Sequence, residues 1–203
     1  KRLNQLNLAQ QLNFEITENI RRRGGPASLY ITEFKDQSLV GLNLLQVADL
    51  KKLSPVDTAI WLVQQGEVRV ASFNMSPEDV EQFMVQPWVV TSSDGTNGHP
   101  RKYASFPRKY QNYVVKKQLL TLAEFINRSS SQTAKLLGLS KRGILKENLQ
   151  ADIIVFDPNT YSAKADFSQW NNYSVGVEQV IINGRLVIKN EQYQEVLAGE
   201  FVQ

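Results

Sequence analysis

The chain has 203 residues, of which 42% are hydrophobic and 21% are charged, so it can bury a sizeable core and is not composed like a disordered tail. It has no cysteine and one histidine, which excludes disulfides, thiolate metal sites and a histidine-built metal centre within it. The net charge of +3 comes from basic residues scattered near predicted helix ends, so we expect no nucleic-acid partner.

The first third of the chain changes its hydrophobic period twice. An apolar residue at every fourth position predicts a first helix, and a run of β-formers followed by turn residues predicts a strand and a second short strand. The predicted elements are helix Leu3–Arg23, strand Ser28–Phe34, a short strand through Leu39–Val40, and helix Leu44–Leu53.

Two Ser-Pro pairs, Ser54-Pro55 and Ser76-Pro77, combine an N-cap residue with proline at the first helical position. They predict one helix to about Gln65 and another that buries Val80, Phe83 and Met84. Strands are predicted between and after these helices, at Val68–Phe73 and Trp88–Val90. Helix and strand therefore alternate with short connections, which is typical of β/α units around a parallel sheet.

The second half changes from helix to strand near Arg142. The predicted helices are Lys109–Gln118, a helix opened by the Thr121–Glu124 capping box that buries Leu122, Phe125 and Ile126, and Ser131–Leu137. Ile153–Phe156 and Val177–Ile182 are predicted strands, and Asn183-Gly184 predicts a hairpin into Leu186–Ile188.

Polar residues follow the predicted Trp88–Val90 strand directly and end in Asp94-Gly95. In α/β folds the carboxyl ends of strands are where active sites lie, so the Asp94 carboxylate is a candidate catalytic group. His99-Pro100-Arg101 and Phe106-Pro107-Arg108 then predict a loop that contains two prolines and two guanidinium groups. The alternative is an ordinary Asp-Gly turn with no chemical role.

The motifs SSDG, HPR and FPR together resemble the C-terminal part of the N-acyl-D-amino-acid deacylases (D-aminoacylases), a branch of the metal-dependent amidohydrolase superfamily. The tail from ADIIVFDP to VEQVIINGRLVIKN resembles the same superfamily. The resemblance implies an α/β fold, with the last units of a (β/α)8 barrel in residues 1–141 and a small β-sandwich segment in residues 142–203. A complete barrel needs about 250 residues, and the chain begins with Lys1, so we expect a fragment.

In that family Zn²⁺ activates a water, and the aspartate of the SDG motif takes its proton and delivers it to the leaving nitrogen. The resemblance assigns this general base and acid role to Asp94, which could also lie near the metal. A free substrate carboxylate favours a guanidinium partner, for which Arg101 is the candidate; a loop-stabilising ion pair is the alternative. His99 is a second candidate substrate-binding residue, and a hydrogen-bonding role within the loop is its alternative.

The other metal ligands of the family have no matching positions here, so we expect the isolated chain to bind no zinc and to be inactive. The implied partners are an N-acyl amino acid, the missing N-terminal half and, through exposed sheet edges, other copies of the chain. We expect no membrane partner and a cytoplasmic location, or a periplasmic one if a signal peptide lies upstream. Alternatives are another amidohydrolase, such as a dihydroorotase-like cyclic amidase, and a non-catalytic binding domain that retains the fold.

Overall fold

A computed structural model describes residues 8–202 of the chain. These residues form two compact units, one ending at Ser76 and the other beginning at Pro77. The predicted division between barrel and sandwich segments near Arg142 falls inside the second unit. None of the described helices has the length and apolar character needed to cross a bilayer.

The first unit packs three helices and a two-stranded sheet around one apolar core. Its elements are α1 (Ala9–Arg22), β1 (Leu29–Glu33), α2 (Leu44–Lys51), α3 (Pro55–Gln65) and β2 (Arg69–Ser72), with 3-10 turns at Pro26–Ser28 and Gln37–Leu39. The core comprises Ile20, Leu29, Ile31, Phe34, Leu39, Leu44, Val47 and Leu62. The predicted cap of α3 is confirmed, because the Ser54 hydroxyl accepts a hydrogen bond from the Asp57 amide at 3.0 Å.

Two predictions for the first unit are wrong, and residues 3–7 of the predicted first helix lie outside the described residues. The Val68–Phe73 strand, predicted to belong to a parallel sheet, is β2 and pairs antiparallel with β1, with Leu29 opposite Ser72. The predicted strand at Leu39–Val40 is instead a 3-10 turn, because the Asp36 carboxylate accepts hydrogen bonds from the Ser38 amide and hydroxyl and turns the chain.

The second unit has helices followed by an antiparallel sheet. The helices are α4 (Pro77–Met84), α5 (Arg101–Lys109), α6 (Leu122–Ser129) and α7 (Ser131–Leu136), and a π-helical segment, Tyr110–Lys116, continues α5. The strands β3 (Ile153–Phe156), β4 (Val177–Ile182), β5 (Arg185–Lys189) and β6 (Gln192–Tyr193) pair in chain order. The hairpin prediction is confirmed, since Asn183 and Gly184 both have positive φ between β4 and β5.

The segment Trp88–Val90 is not a strand, which corrects the prediction. A strand exists only when its backbone pairs with a neighbour, and in the described part of the chain this segment belongs to neither sheet. The Val89 amide bonds to the Gln86 carbonyl, and the Trp88 side chain is 67% exposed.

The predicted burial of two helix faces is also wrong in part. On α4 no residue is buried, and Phe83 is 65% exposed. On α6 the capping box between Thr121 and Glu124 is confirmed and Phe125 is buried, but Leu122 and Ile126 are partly exposed. Apolar spacing identifies the face of a helix, but burial also needs another element against that face.

Candidate active site around Asp94

Asp94 lies in an irregular segment between Thr91 and the start of α5. One carboxylate oxygen, Oδ1, accepts a hydrogen bond from the Gly95 amide at 2.7 Å. The other, Oδ2, lies 2.7 Å from Nη2 of Arg101. The structure therefore brings together two of the predicted site residues. The prediction that Asp94 lies at the end of a strand is wrong, because the segment before it is irregular.

Arg101 is the first residue of α5, so the predicted loop from His99 to Arg108 is largely helical. Pro100 occupies the N-cap position, where the lack of an amide hydrogen is tolerated, and Pro107 is buried inside the helix. The Arg101 Nη2 group also donates to the Thr96 hydroxyl at 3.0 Å. Its Nε is buried and has no hydrogen-bond partner among the described residues.

His99 is partly buried immediately before α5. Its Nδ1 accepts a hydrogen bond from the Arg101 amide at 3.1 Å, so the neutral ring has its proton on Nε2. The ring packs edge-to-face on Phe167, with centroids 5.0 Å apart and planes at 77°. Burial lowers the pKa of the imidazole below its ordinary value, and the positive charges of Arg101 and Arg108 add to this, while Asp94 opposes it.

Lys109 is an unpredicted feature at the other end of α5. It is only 7% exposed, and its amine donates to the Thr91 hydroxyl at 2.9 Å. No carboxylate lies within ion-pair distance of it in the described part of the chain, and burial together with the charge of Arg128 lowers its pKa to about 8. A lysine in a helix usually indicates a solvated face, so nothing in the sequence identifies this buried position.

The Lys109 amine and its neighbours fix the start of the Asp94 segment. The Thr91 hydroxyl also accepts a hydrogen bond from the Ser129 hydroxyl at 2.9 Å, and the Thr91 amide donates to the Arg128 carbonyl. The segment between Thr91 and Arg101 is thus attached to α6 at one end and to α5 at both ends. Its short span limits the positions that the Asp94 carboxylate can reach.

Comparison with known proteins decides the family of the chain. The model of the amidohydrolase family matches residues 41–188, which is more than half of the sequence. The chain belongs to this family. A relative of this amidohydrolase chain, the N-acyl-D-glutamate deacylase of Alcaligenes xylosoxydans xylosoxydans, is 32% identical over 148 residues, which cover 71% of the chain and 30% of the relative.

Solved structures of amidohydrolases share the α/β fold of the chain. A D-aminoacylase crystal structure matches with a TM-score of 0.74 and 27% identity, over 84% of the chain and 36% of the solved chain. The N-acyl-D-glutamate deacylase of Bordetella bronchiseptica, solved with zinc and a phosphonate mimic of the tetrahedral intermediate, matches with a TM-score of 0.71 and 28% identity, over 82% and 36% of the two chains. The chain thus spans about a third of the length of these relatives.

The described residues of this amidohydrolase chain do not fit a metal ion. Within residues 8–202 no three aspartate, glutamate or histidine side chains form a group that could hold one. The Asp94 carboxylate instead contacts the Arg101 guanidinium and the Gly95 amide. A protein site for zinc needs three or four ligands, so Asp94 alone does not make one.

Proposed function

We propose that the chain is the C-terminal part of a zinc-dependent deacylase that hydrolyses the amide bond of N-acyl-D-amino acids. The proposal depends on the ion pair between Asp94 and Arg101, which supports a proton-transfer role for Asp94 and a carboxylate-binding role for Arg101 at one site. The relatives are themselves named as deacylases of N-acyl-D-amino acids. Their greater length supports a longer polypeptide in which other residues hold the metal.

In this proposal, residues 1–141 correspond to the last units of the barrel and residues 142–203 to the sandwich segment. The chain matches only 36% of each solved structure, which supports its being part of a longer polypeptide. A barrel would supply a strand partner for Trp88–Val90, which has none in the part of the chain that the structure describes, and would cover the exposed face of α4.

The proposed chemistry of Asp94 is proton transfer. Its carboxylate accepts a proton from the attacking water as the water oxygen bonds to the amide carbon. It then gives that proton to the nitrogen as the C–N bond breaks, which releases a free carboxylic acid and an amine. The exposure of the Asp94 side chain, 60%, leaves it accessible to both water and substrate.

Arg101 is the proposed partner of the substrate carboxylate. Its Nε has no acceptor within residues 8–202, and a carboxylate oxygen is the acceptor that a guanidinium binds most strongly. His99 lies next to it and, as a neutral ring with its proton on Nε2, can donate a hydrogen bond to the same anionic group. This role for His99 is proposed together with that of Arg101.

Asp94→Asn in the complete gene product tests the proton-transfer role. Asparagine has the same shape but cannot accept the proton, so we expect kcat to fall by about 10² to 10⁴-fold on N-acyl-D-amino acids with added zinc. Asp49→Asn, a change at an exposed position of α2, is the matched control and should leave kcat unchanged. Hydrolysis of N-acyl-L-amino acids in preference to the D-enantiomers, or full activity of D94N, would contradict the proposal.

Arg101→Ala tests the substrate-binding role and separates it from loop stabilisation. Loss of a charge-assisted hydrogen bond costs about 1.5 to 3 kcal/mol, so KM for N-acyl-D-amino acids should rise by roughly 10- to 100-fold. An uncharged N-acyl-D-amino amide should show a much smaller increase. Equal losses on both substrates would mean that Arg101 only stabilises the loop.

The isolated 203-residue chain should retain no stoichiometric zinc after dialysis and should not hydrolyse these substrates. This expectation follows from the lack of a three-ligand group among the described residues. Metal analysis and an amine-release assay on the pure chain check it. Zinc-dependent turnover by the pure chain would show that the missing ligands are not required.

A further inference from the structure

The connection between β3 and β4, residues 157–176, runs along α5 and its π-helical continuation. Backbone groups of the connection bond to side chains on this helix: the Ala163 amide donates to Gln111 Oε1 at 2.9 Å, and Arg108 Nη2 donates to the Ala165 carbonyl at 2.6 Å. Closer to the start of α5, the Tyr103 ring lies 5.5 Å from the ring of Tyr173. The connection therefore follows the helix from its far end to the end that begins with Arg101.

A turn built by Asp166 fixes the part of this connection nearest to His99. The Asp166 Oδ1 atom accepts hydrogen bonds from the Ser168 amide at 2.8 Å, the Ser168 hydroxyl at 2.7 Å and the Gln169 amide at 2.7 Å. These hydrogen bonds lower the pKa of Asp166, so the carboxylate is ionised and strongly held at neutral pH. Ala165, which precedes the turn, is only 2% exposed. The backbone before and after Phe167 is thus held in place by hydrogen bonds and burial.

Phe167 contacts the single histidine of the chain from this turn. Its ring contacts the His99 ring edge-to-face, with the ring centroids 5.0 Å apart. The Nδ1 atom of His99 accepts a hydrogen bond from the Arg101 amide. Arg101 in turn contacts Asp94 through Nη2 at 2.7 Å. The Asp166 turn, the contact between the Phe167 and His99 rings, the hydrogen bond from the Arg101 amide and the Arg101–Asp94 ion pair therefore form a continuous series of contacts between the two carboxylates.

We propose that Asp166 and Phe167 are positioning residues, which orient the His99 ring beside the Arg101–Asp94 pair. An imidazole that accepts an amide hydrogen must keep its ring plane close to that of the N–H bond. An aromatic edge held by a rigid turn limits the ring to that orientation. That the Arg101–Asp94 pair serves amide hydrolysis rests on the proposed function; the orientation of His99 does not.

The first test uses proton NMR of the unmodified chain. Its one histidine gives a single pair of ring signals, so the assignment is unambiguous. We expect nuclear Overhauser contacts between the His99 and Phe167 rings, and a His99 titration midpoint below the ordinary histidine value because the ring is buried. Absence of the ring–ring contacts in the folded chain would overturn the proposal.

The second test uses variants that move the ring without touching the site residues. Phe167→Ala should expose His99 and shift its titration midpoint upward, toward the ordinary value, whereas Phe167→Leu should restore most of the burial. Asp166→Ala should cause the same upward shift by loosening the turn, and Asp166→Asn should retain the unmodified titration because its amide oxygen still accepts the amide hydrogens.

Circular dichroism identifies which variants are folded. If Phe167→Ala does not fold, the Asp166 pair provides the same comparison. A His99 titration that is identical in the folded alanine variants and in the unmodified chain would overturn the proposal. Because these measurements need no metal or substrate, they can succeed when the deacylase proposal fails and can fail when it holds.

Discussion

Lys109→Met should stabilise the chain at neutral pH, although it removes a hydrogen bond. The buried Lys109 amine has a pKa of about 8, against an ordinary value of 10.5, because burial and the charge of Arg128 disfavour its protonated form. This difference corresponds to about 3 kcal/mol of destabilisation while the amine is protonated in both folded and unfolded states. Methionine is similar in length and has no charge to bury.

The destabilisation caused by the charged Lys109 amine depends on pH, and this dependence determines how the effect of Lys109→Met changes with pH. Between pH 8 and 10.5 the unfolded chain binds more protons at this position than the folded chain, so the contribution of Lys109 to folding becomes less unfavourable as pH rises. Below pH 8 the whole cost is present. Loss of the hydrogen bond to Thr91 should remove about 1 kcal/mol of the gain. The variant should therefore be more stable by roughly 2 kcal/mol at pH 7 and close to unchanged at pH 9.5.

Urea unfolding of the 203-residue chain at pH 7.0 and 9.5, followed by circular dichroism, measures both values. Lys146→Met, at an exposed position, is the matched control and should change stability little at either pH. The reasoning is refuted if Lys109→Met destabilises the chain at pH 7, or if its effect is the same at both pH values.

Two further substitutions test local features of the second unit. Gly176→Ala should destabilise it by more than about 2 kcal/mol, because φ is +82° and a Cβ would lie 2.5 Å from the Tyr161 amide nitrogen. Gly184→Ala is the control: φ is +76° and no atom lies within 4 Å of the added Cβ, so it should cost only about 1 kcal/mol. Equal decreases in the urea midpoint of the two variants would exclude the steric reason. Thr121→Ala should cost about 1 kcal/mol by removing the hydroxyl that accepts the Glu124 amide, and an unchanged midpoint would mean that the capping box contributes nothing.

The features that could be predicted from the sequence are those decided within a few residues. The cap at Ser54, the capping box at Thr121 and the Asn183-Gly184 hairpin all depend on hydrogen bonds or backbone angles between near neighbours, and all three are confirmed. The predicted strand at Trp88–Val90 would need a pairing partner elsewhere in the chain, and an apolar run does not specify one.

The candidate site shows the same limit. Asp94, His99 and Arg101 lie within eight positions of one another, so their proximity follows from the chain itself once the motif is recognised. The contacts of Phe167 with the His99 ring and of Lys109 with Thr91, however, join residues far apart in the chain, and no local pattern in the sequence indicates them. Phe167 is 68 positions from His99 and belongs to the predicted sandwich segment, while His99 belongs to the predicted barrel segment. If the site works as proposed, the sandwich segment therefore contributes to the active site, because it holds the imidazole ring that accepts the hydrogen bond of the Arg101 amide.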